Sequence, residues 1–487
     1  MNQLKIKYFL PVVIFMTLFI TSCENYLDVN LNPNQSTSSD APLQLSAGQL
    51  NIAIALGQRL FPSMGVWCQY QSGGPGVSLG EFDQHQMSSS EGNEIFTRIY
   101  RGINNLNYIS KNLPNEKYYN AIVKITKSYA FQVCADVFGN IPYTEALKGD
   151  ISDGSILHPK YNNAETEVYP ALIQEVKDAL DLIHNGAGST IPGSDDLVYQ
   201  GDMHKWEAFA NSLLLKLYLR SGKSADAKAL AESGASFIVA NDEAALVAFP
   251  GGSAGSNPFW TAARSTALGN YFVATTTSIQ YLESTSDPRI DFFYQKNLAG
   301  GHNGMKPGDV ENAPSSSATF SLPNGATSAT GGVIFGPTKP VIWMSAWESN
   351  LLLSEAVIGA AESEAYYDEA VTQSFDYLGV ESAKLDAYLA GKGKYDAANA
   401  LKTIALQKWV CMNGLQPVES WIETRRYDNA SNAIFASRSG GIFIEPTKNA
   451  LGAGKFPSIF PYPENEESLN QNFPGQHDIT AKVFWDK

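Results

Sequence analysis

The chain has 487 residues, of which 44% are hydrophobic and 17% charged, enough apolar material to bury a large core and too little charge for a disordered chain. Its formal net charge is −15, with 34 Lys and Arg against 49 Asp and Glu. That balance argues against nucleic acid as a partner, because affinity for a phosphate backbone rests on Lys and Arg neutralising its charge.

At the N-terminus, Lys5 and Lys7 precede an apolar run from Tyr8 to Ile20. At roughly 13 residues the run is shorter than the ~20 that a spanning helix needs, and it suits the core of a signal peptide. Thr21-Ser22-Cys23 closes it with small residues and a cysteine, the pattern of a lipobox. Residues 1–22 are therefore expected to be removed and Cys23 to carry lipid. Residues 23–41 are polar and rich in Asn, Pro and Ser, which reads as a tether between a lipid anchor and the body.

Helical periodicity begins after residue 42. A first helix is expected over Leu43–Phe61, followed by a Gly-rich loop from Gly65 to Phe82 that holds Trp67, Gln69, Tyr70 and Gln71. Ser88 to Ser90 cap a helix marked by Ile95, Ile99, Ile103 and Leu106, and its neighbour carries Ile122, Ile125, Tyr129 and Val133. The helix Glu165–His184 presents Val168, Leu172, Val176, Leu180 and Ile183 on one side and pairs in sequence order with Tyr199–Arg220. There Asp202 is placed as an N-cap, and Trp206, Ala210, Leu213, Leu214 and Leu217 recur at helical steps. Lys205, Glu207, Lys216 and Arg220 fall mostly off that stripe, and Ser221-Gly222 ends the helix before another begins at Ser224.

Residues 241–340 change character, with Gly, Ser, Thr and Pro interrupting short apolar runs. A loop-rich insert is expected, with one helix at Ala267–Leu282 and a turn clasp at Asp287-Pro288-Arg289. Helices return at Trp343–Ile358, Glu364–Leu378 and Ala397–Met412, and residues 428–487 are expected to form an irregular segment over them. The fold class is mostly α. Residues 42–487 read as one domain of tetratricopeptide-like helical hairpins at 42–240 and 341–427, with the insert on the ligand side.

Catalytic patterns are weak. Gly251-Gly252-Ser253-Ala254-Gly255 matches a nucleophile elbow, yet Ser256-Asn257-Pro258 follows where a helix is required. His85, His158, His184, His204, His302 and His477 are isolated in sequence, so no metal and no cofactor is expected. After Cys23 only Cys68, Cys134 and Cys411 remain, an odd number without ligand spacing, and the last two sit in apolar helical segments as small hydrophobes. Asp195-Asp196 and Glu464 with Glu466 read as solvated turn acids, and Arg425-Arg426 as partners of nearby Glu419 and Glu423. Sugars present apolar C–H faces between hydroxyls, so a carbohydrate site needs exposed rings beside amides. Trp67, Gln69, Tyr70 and Gln71 meet that description, as do Asn257, Trp260, Asn270 and Tyr271 in the insert. Trp206, Trp343, Trp347, Trp409 and Trp421 fall in helical stripes and read as core.

Six segments then occur in one order behind the lipobox: Phe138–Leu147 (FGNIPYTEAL), Tyr199–Ser221, Ser286–Asp291 (SDPRID), Trp343–Ala356, Glu419–Asp428 (ESWIETRRYD) and Phe460–Asn472. Together they resemble the SusD/RagB family, in its shorter SusD-like branch, over nearly the whole mature chain. The resemblance implies a non-enzymatic lipoprotein of the outer membrane with a tetratricopeptide-like core. It also implies a body at the cell surface that captures oligosaccharides as the lid of a TonB-dependent SusC-like transporter. A peptide-binding importer subunit and an adhesive surface lipoprotein are the alternatives.

Overall fold

The computed structural model describes residues 40–75, 80–149, 156–265, 272–309, 317–429, 433–436 and 440–486. Cys23 and the expected tether up to residue 39 lie outside them, and the last tether residue, Ala41, already begins the first helix. Before the insert, the helices of seven residues or more are α1 (Ala41–Ala55), α2 (Phe61–Trp67), α3 (Glu91–Asn112), α4 (Lys117–Phe138), α5 (Tyr169–His184), α6 (Met203–Arg220) and α7 (Ser224–Ala231). The insert adds α8 (Pro258–Ser265) and α9 (Thr276–Ser284), and after it come α10 (Ala346–Ala356), α11 (Ala361–Leu378), α12 (Ser382–Ala390), α13 (Ala400–Cys411) and α14 (Pro417–Tyr427). The chain is mostly α, as its periodicity predicts.

Before the insert the long helices stack in chain order. α1 lies on α3, α3 on α4, α4 on α5, α5 on α6 and α6 on α7. The approach of α1 to α3 depends on two glycines: a Cβ on Gly102 would stand 2.9 Å from the Gly48 carbonyl oxygen, and one on Gly48 would stand 2.7 Å from Leu106. Beyond the insert the stack resumes where it stopped. α10 packs on α6 and α7 and pairs with α11, while α13 joins α10 to α14. Ser212 Oγ meets Ser349 Oγ at 2.9 Å across the α6–α10 contact, and Asn350 Nδ2 donates to the Val239 carbonyl at 2.9 Å.

Three short antiparallel pairs tie loops to this scaffold: β1 (Gln71–Gly73) with β5 (Phe272–Ala274), β2 (Ile141–Pro142) with β3 (Tyr161–Asn162), and β4 (Ala245–Val247) with β6 (Val341–Met344). The last pair closes the insert at its base. Among the described residues after 428, the only helix of the irregular segment is Glu464–Leu469.

Several expectations need correction. The first helix does not stop at Phe61 but runs through a π-helical turn, Leu56–Leu60, to Trp67, so Trp67 is helical. Residues 266–271 of the expected helix Ala267–Leu282 lie outside the description, and β5 occupies 272–274 because Val273 and its neighbours pair with β1. The helix proper starts at Thr276, where Thr275 caps it by accepting from Ser278 N. α8 and α12 were not anticipated. Asp202 does cap α6, accepting from His204 N and Lys205 N. Asp196 is no solvated turn acid: fully buried, it accepts from Gln49 Nε2 at 2.8 Å, Gly201 N at 2.9 Å and Trp206 Nε1 at 2.7 Å.

The largest departure concerns Lys216 and Arg220. Both are buried, because α6 is enclosed on the side that the sequence marks as polar. Lys216 pairs with Glu348 at 2.5 Å and Glu419 at 3.2 Å, and Arg220 with Asp136 at 2.6 Å and with Glu419 and Glu423. Lys408 reaches Glu423 at 2.7 Å, and Arg426 reaches Glu355 at 2.7 Å and Glu423 at 2.8 Å. Burial raises the Glu423 carboxyl, but Arg426, Lys408 and Arg220 outweigh it and hold the group well below the usual carboxylate range. Such a depressed value supplies stability above the unfolded carboxylate range that is lost as pH falls through the folded value. Removing one partner of a buried network strands the others, so Glu423→Gln should cost about 3–5 kcal/mol in urea denaturation at pH 7 and flatten the acid limb of the stability profile. Lys228→Ala, which removes an exposed pair at 3.7 Å, should leave the denaturation midpoint nearly unchanged.

Candidate functional site

Gln71 of the first cluster stands opposite Ala274 in the β1–β5 pair. Most of the first cluster is engaged by the fold. Gln69 is buried with φ +57°; its Nε2 donates to the Ile444 carbonyl at 2.7 Å, and its Oε1 accepts from Ile444 N at 2.9 Å and from the Thr277 hydroxyl. One amide thus binds the Gly-rich loop, the start of α9 and the C-terminal segment. Tyr70 is also buried, stacked on Trp409 at 5.3 Å, and its hydroxyl donates to the Trp409 carbonyl at 2.5 Å. Gln71 is buried in β1, with an amide nitrogen that has no acceptor among the described residues. The expectation that these side chains stand open in a loop is therefore corrected: long-range hydrogen bonds and ring contacts draw them inward.

Trp67 is 3% exposed, donates from Nε1 to the Phe82 carbonyl at 3.3 Å, and packs 5.2 Å from Trp421 and 5.4 Å from Phe460. In the insert, Asn257 is the N-cap of α8. Its Oδ1 accepts from Phe259 N at 2.9 Å and Trp260 N at 3.1 Å, and its Nδ2 donates to the Lys339 carbonyl at 2.8 Å. Trp260 is half-buried, 4.8 Å from Phe335. Asn270 and Tyr271 lie outside the described residues.

Beside Trp67, α14 and the C-terminal segment enclose a cavity of about 160 Å³. An apolar cavity of about 150 Å³ accepts a benzene, so this space takes one ring-sized group. Trp67, Trp421, Phe435 and Phe443 line it with buried rings, and Phe456 with a half-buried one. Polar groups converge on the same space: Thr424, Arg425, Asp428, Lys482 and Asp486. Phe435, Phe443 and Phe456 belong to the segment expected to be irregular, and no local sequence pattern places them opposite Trp67.

Arg425 is not the carboxylate partner that the sequence suggests. Its guanidinium lies 3.5 Å over Trp421 and 4.8 Å over Trp485, and it donates to the carbonyls of Trp421, Ser458 and Asp136. Burial pulls it down to about 10, against the pull of Asp486 and Asp136, so it stays charged at neutral pH. Burial raises the Asp428 carboxyl, which accepts from the backbone N–H groups of Ile434, Phe435 and Ala436 and so holds that wall in place. Lys482 pairs with Asp486 at 3.2 Å. Aromatic floor, fixed charge and hydroxyl rim together suit a polar ring with an apolar face.

A profile of the SusD-like family, described as starch-binding and associating with the outer membrane, matches residues 36–439. The chain belongs to the SusD-like family. Solved structures agree on the fold. A SusD homologue from Bacteroides uniformis superposes with a TM-score of 0.73 at 20% identity, covering 92% of this chain and 100% of its own. A chitin-binding protein gives 0.75 at 22% identity over 91% and 99%, and a chitin-binding SusD homologue from Flavobacterium johnsoniae gives 0.73 at 18% over 91% and 98%. No curated protein sequence matches the chain.

One arrangement in this SusD-like protein imitates catalytic geometry. Ser321 Oγ lies 3.4 Å from His302 Nδ1, whose Nε2 lies 2.8 Å from Asp291 Oδ1. Ser321 is fully buried and its hydroxyl accepts from Asn303 N, so it presents no nucleophile to a substrate. The Gly251–Gly255 stretch forms a short helix, Gly252–Gly255, preceded by a Gly at φ +83° and not by a strand.

Two stability predictions follow from these contacts. Trp67→Ala should cost about 3–5 kcal/mol, as for other buried Trp truncations, whereas half-buried Trp260→Ala should cost less than half as much in the same urea titration. His85, buried beside Phe456 with Nδ1 3.2 Å from Asn449 Oδ1, is pushed down to about 4 by burial, which Asn449 only partly offsets. The unfolded chain then binds the extra proton between the ordinary value of 6.5 and about 4. Stability should fall across that window as pH is lowered, by on the order of 3 kcal/mol, and His85→Gln should remove that slope.

Proposed function

We propose that this SusD-like protein is a non-enzymatic surface receptor that captures oligosaccharides. It acts as the lid of a TonB-dependent SusC-type outer-membrane transporter and is held at the membrane by lipid on Cys23. The family match over residues 36–439 carries this reading, since the family's own description is of starch binding at the outer membrane. The chitin-binding character of two proteins of the same fold supports a glycan ligand. In this reading a sugar ring enters the cavity beside Trp67, stacks on Phe456 and hydrogen-bonds to Thr424, Lys482 and Asp486. Trp260 offers a second platform in the insert, to which Asn270 and Tyr271 are assigned from the sequence alone. Ligand closes the lid only by the difference between its affinities for the closed and open states.

Calorimetry on residues 40–487, against starch and chitin oligosaccharides and against oligopeptides, tests the assignment. One glycan class should bind, and Phe456→Ala should weaken it at least tenfold without lowering the melting temperature by more than a few degrees. Loss with Trp260→Ala alone would move the site to the insert. Binding of oligopeptides only would replace the glycan reading with a peptide importer.

A further inference from the structure

A larger cavity, of about 280 Å³, opens on the other side of α4, between α3, α5 and the loop Tyr143–Lys148. It differs from the aromatic cavity in charge. Lys124, Lys127 and Lys148 line it against one lining carboxylate, Glu175, in a chain whose formal charge is −15. Lys124 pairs with Glu175 at 2.6 Å and with Asp178 behind it at 3.7 Å. The other two ammonium groups have no carboxylate partner among the described residues. Lys127, half-buried, reaches only the Asn107 Oδ1 at 3.3 Å, and Lys148 is exposed at the mouth.

A half-buried ammonium satisfied by one neutral acceptor is a poor device for stability, because desolvating the charge is not repaid. Burial lowers the Lys127 amine; Glu175 partly restores it, and Lys124 and Lys111 lower it further. An anion in the cavity would offset these penalties by direct attraction to both ammonium groups. The walls are already set: Asn162 Oδ1 accepts from Tyr143 N at 3.1 Å and Thr144 N at 2.9 Å, and Tyr100 donates to the Pro142 carbonyl at 2.6 Å. Tyr143, half-buried and edge-on to Phe131 at 4.9 Å, brings to the cavity a ring and a hydroxyl without a partner among the described residues.

We propose that this cavity is a second binding site, for a saccharide unit bearing one carboxylate or sulfate group. The anionic group sits between Lys127 and Lys148, and the sugar ring lies against Tyr143 with its hydroxyls toward Asn107 and Thr144. The requirement for charge rests on the cavity alone, and the saccharide part rests on the glycan-binding reading above. Because Phe456 and Lys127 belong to different cavities, failure of one assignment leaves the other measurable.

The test is calorimetry of residues 40–487 with galacturonic acid, galactose 6-sulfate, neutral galactose and sodium sulfate at two salt concentrations. Both charged sugars should bind, more weakly at high salt, and galactose should not compete with them. Lys127→Met should reduce affinity at least tenfold and the exposed Lys148→Ala severalfold, while Lys228→Ala, which removes an exposed lysine outside the cavity, changes nothing. Bound galacturonic acid should also protect Lys127 from amine acetylation, a readout that a packing role would not move. Equal binding of galactose overturns the proposal, as does unchanged affinity in both lysine variants. Displacement of the charged sugars by sulfate at equal affinity would reduce the cavity to a plain anion site and overturn it too.

Discussion

The ion network at the centre of the helical stack is the constraint on which the rest depends. Lys216, Arg220, Lys408 and Arg426 face Asp136, Glu348, Glu355, Glu419 and Glu423, drawn from α4, α6, α10, α13 and α14. Buried pairs seldom add net stability over well-packed apolar residues, but each member becomes costly once its partner is lost. The network therefore acts as a register. Helices on the two sides of the insert can meet in one arrangement only, because any other strands charge in a low-dielectric interior. The insert is free to vary in form while α6 and α10 remain locked.

That lock sets where the candidate site can form. α14 is fixed by Glu419, Glu423 and Arg426, and Arg425 on the same helix is held between Trp421 and Trp485 by stacking and by carbonyl oxygens. The helix thus presents a rigid wall to the C-terminal segment. Gln69 clasps that segment from the opposite side at Ile444, and Asp428 closes the turn at 434–436. The aromatic cavity is the space left between a helix that cannot shift and a segment tied at both ends, which favours binding with little reorganisation.

The two cavities separate two kinds of recognition. One offers buried rings around charges already matched within the protein. The other offers two cations without a carboxylate partner among the described residues, Lys127 on α4 and Lys148 on the loop beside it. Apolar stacking discriminates poorly among neutral sugar rings, whereas an unpaired ammonium discriminates by charge.

The sequence by itself determined most of the helices and their order, α8 and α12 excepted: Asp202 caps α6 and the 3.6-residue stripes of α3 to α6 point inward because local hydrogen bonding and periodicity are properties of neighbouring residues. The ordered segments from FGNIPYTEAL to Phe460–Asn472 pointed to the family before any contact was visible. The site was less legible. Trp67, Gln69 and Tyr70 look like exposed loop residues, yet their partners Trp421, Ile444 and Trp409 lie more than 300 positions away, and no local pattern announces such contacts. Lys216 and Arg220 look like a solvated face for the same reason: apart from Asp136, their carboxylates arrive from helices beyond the insert. Polarity is written residue by residue, but burial depends on which distant helix covers it, and only the tertiary structure decided that.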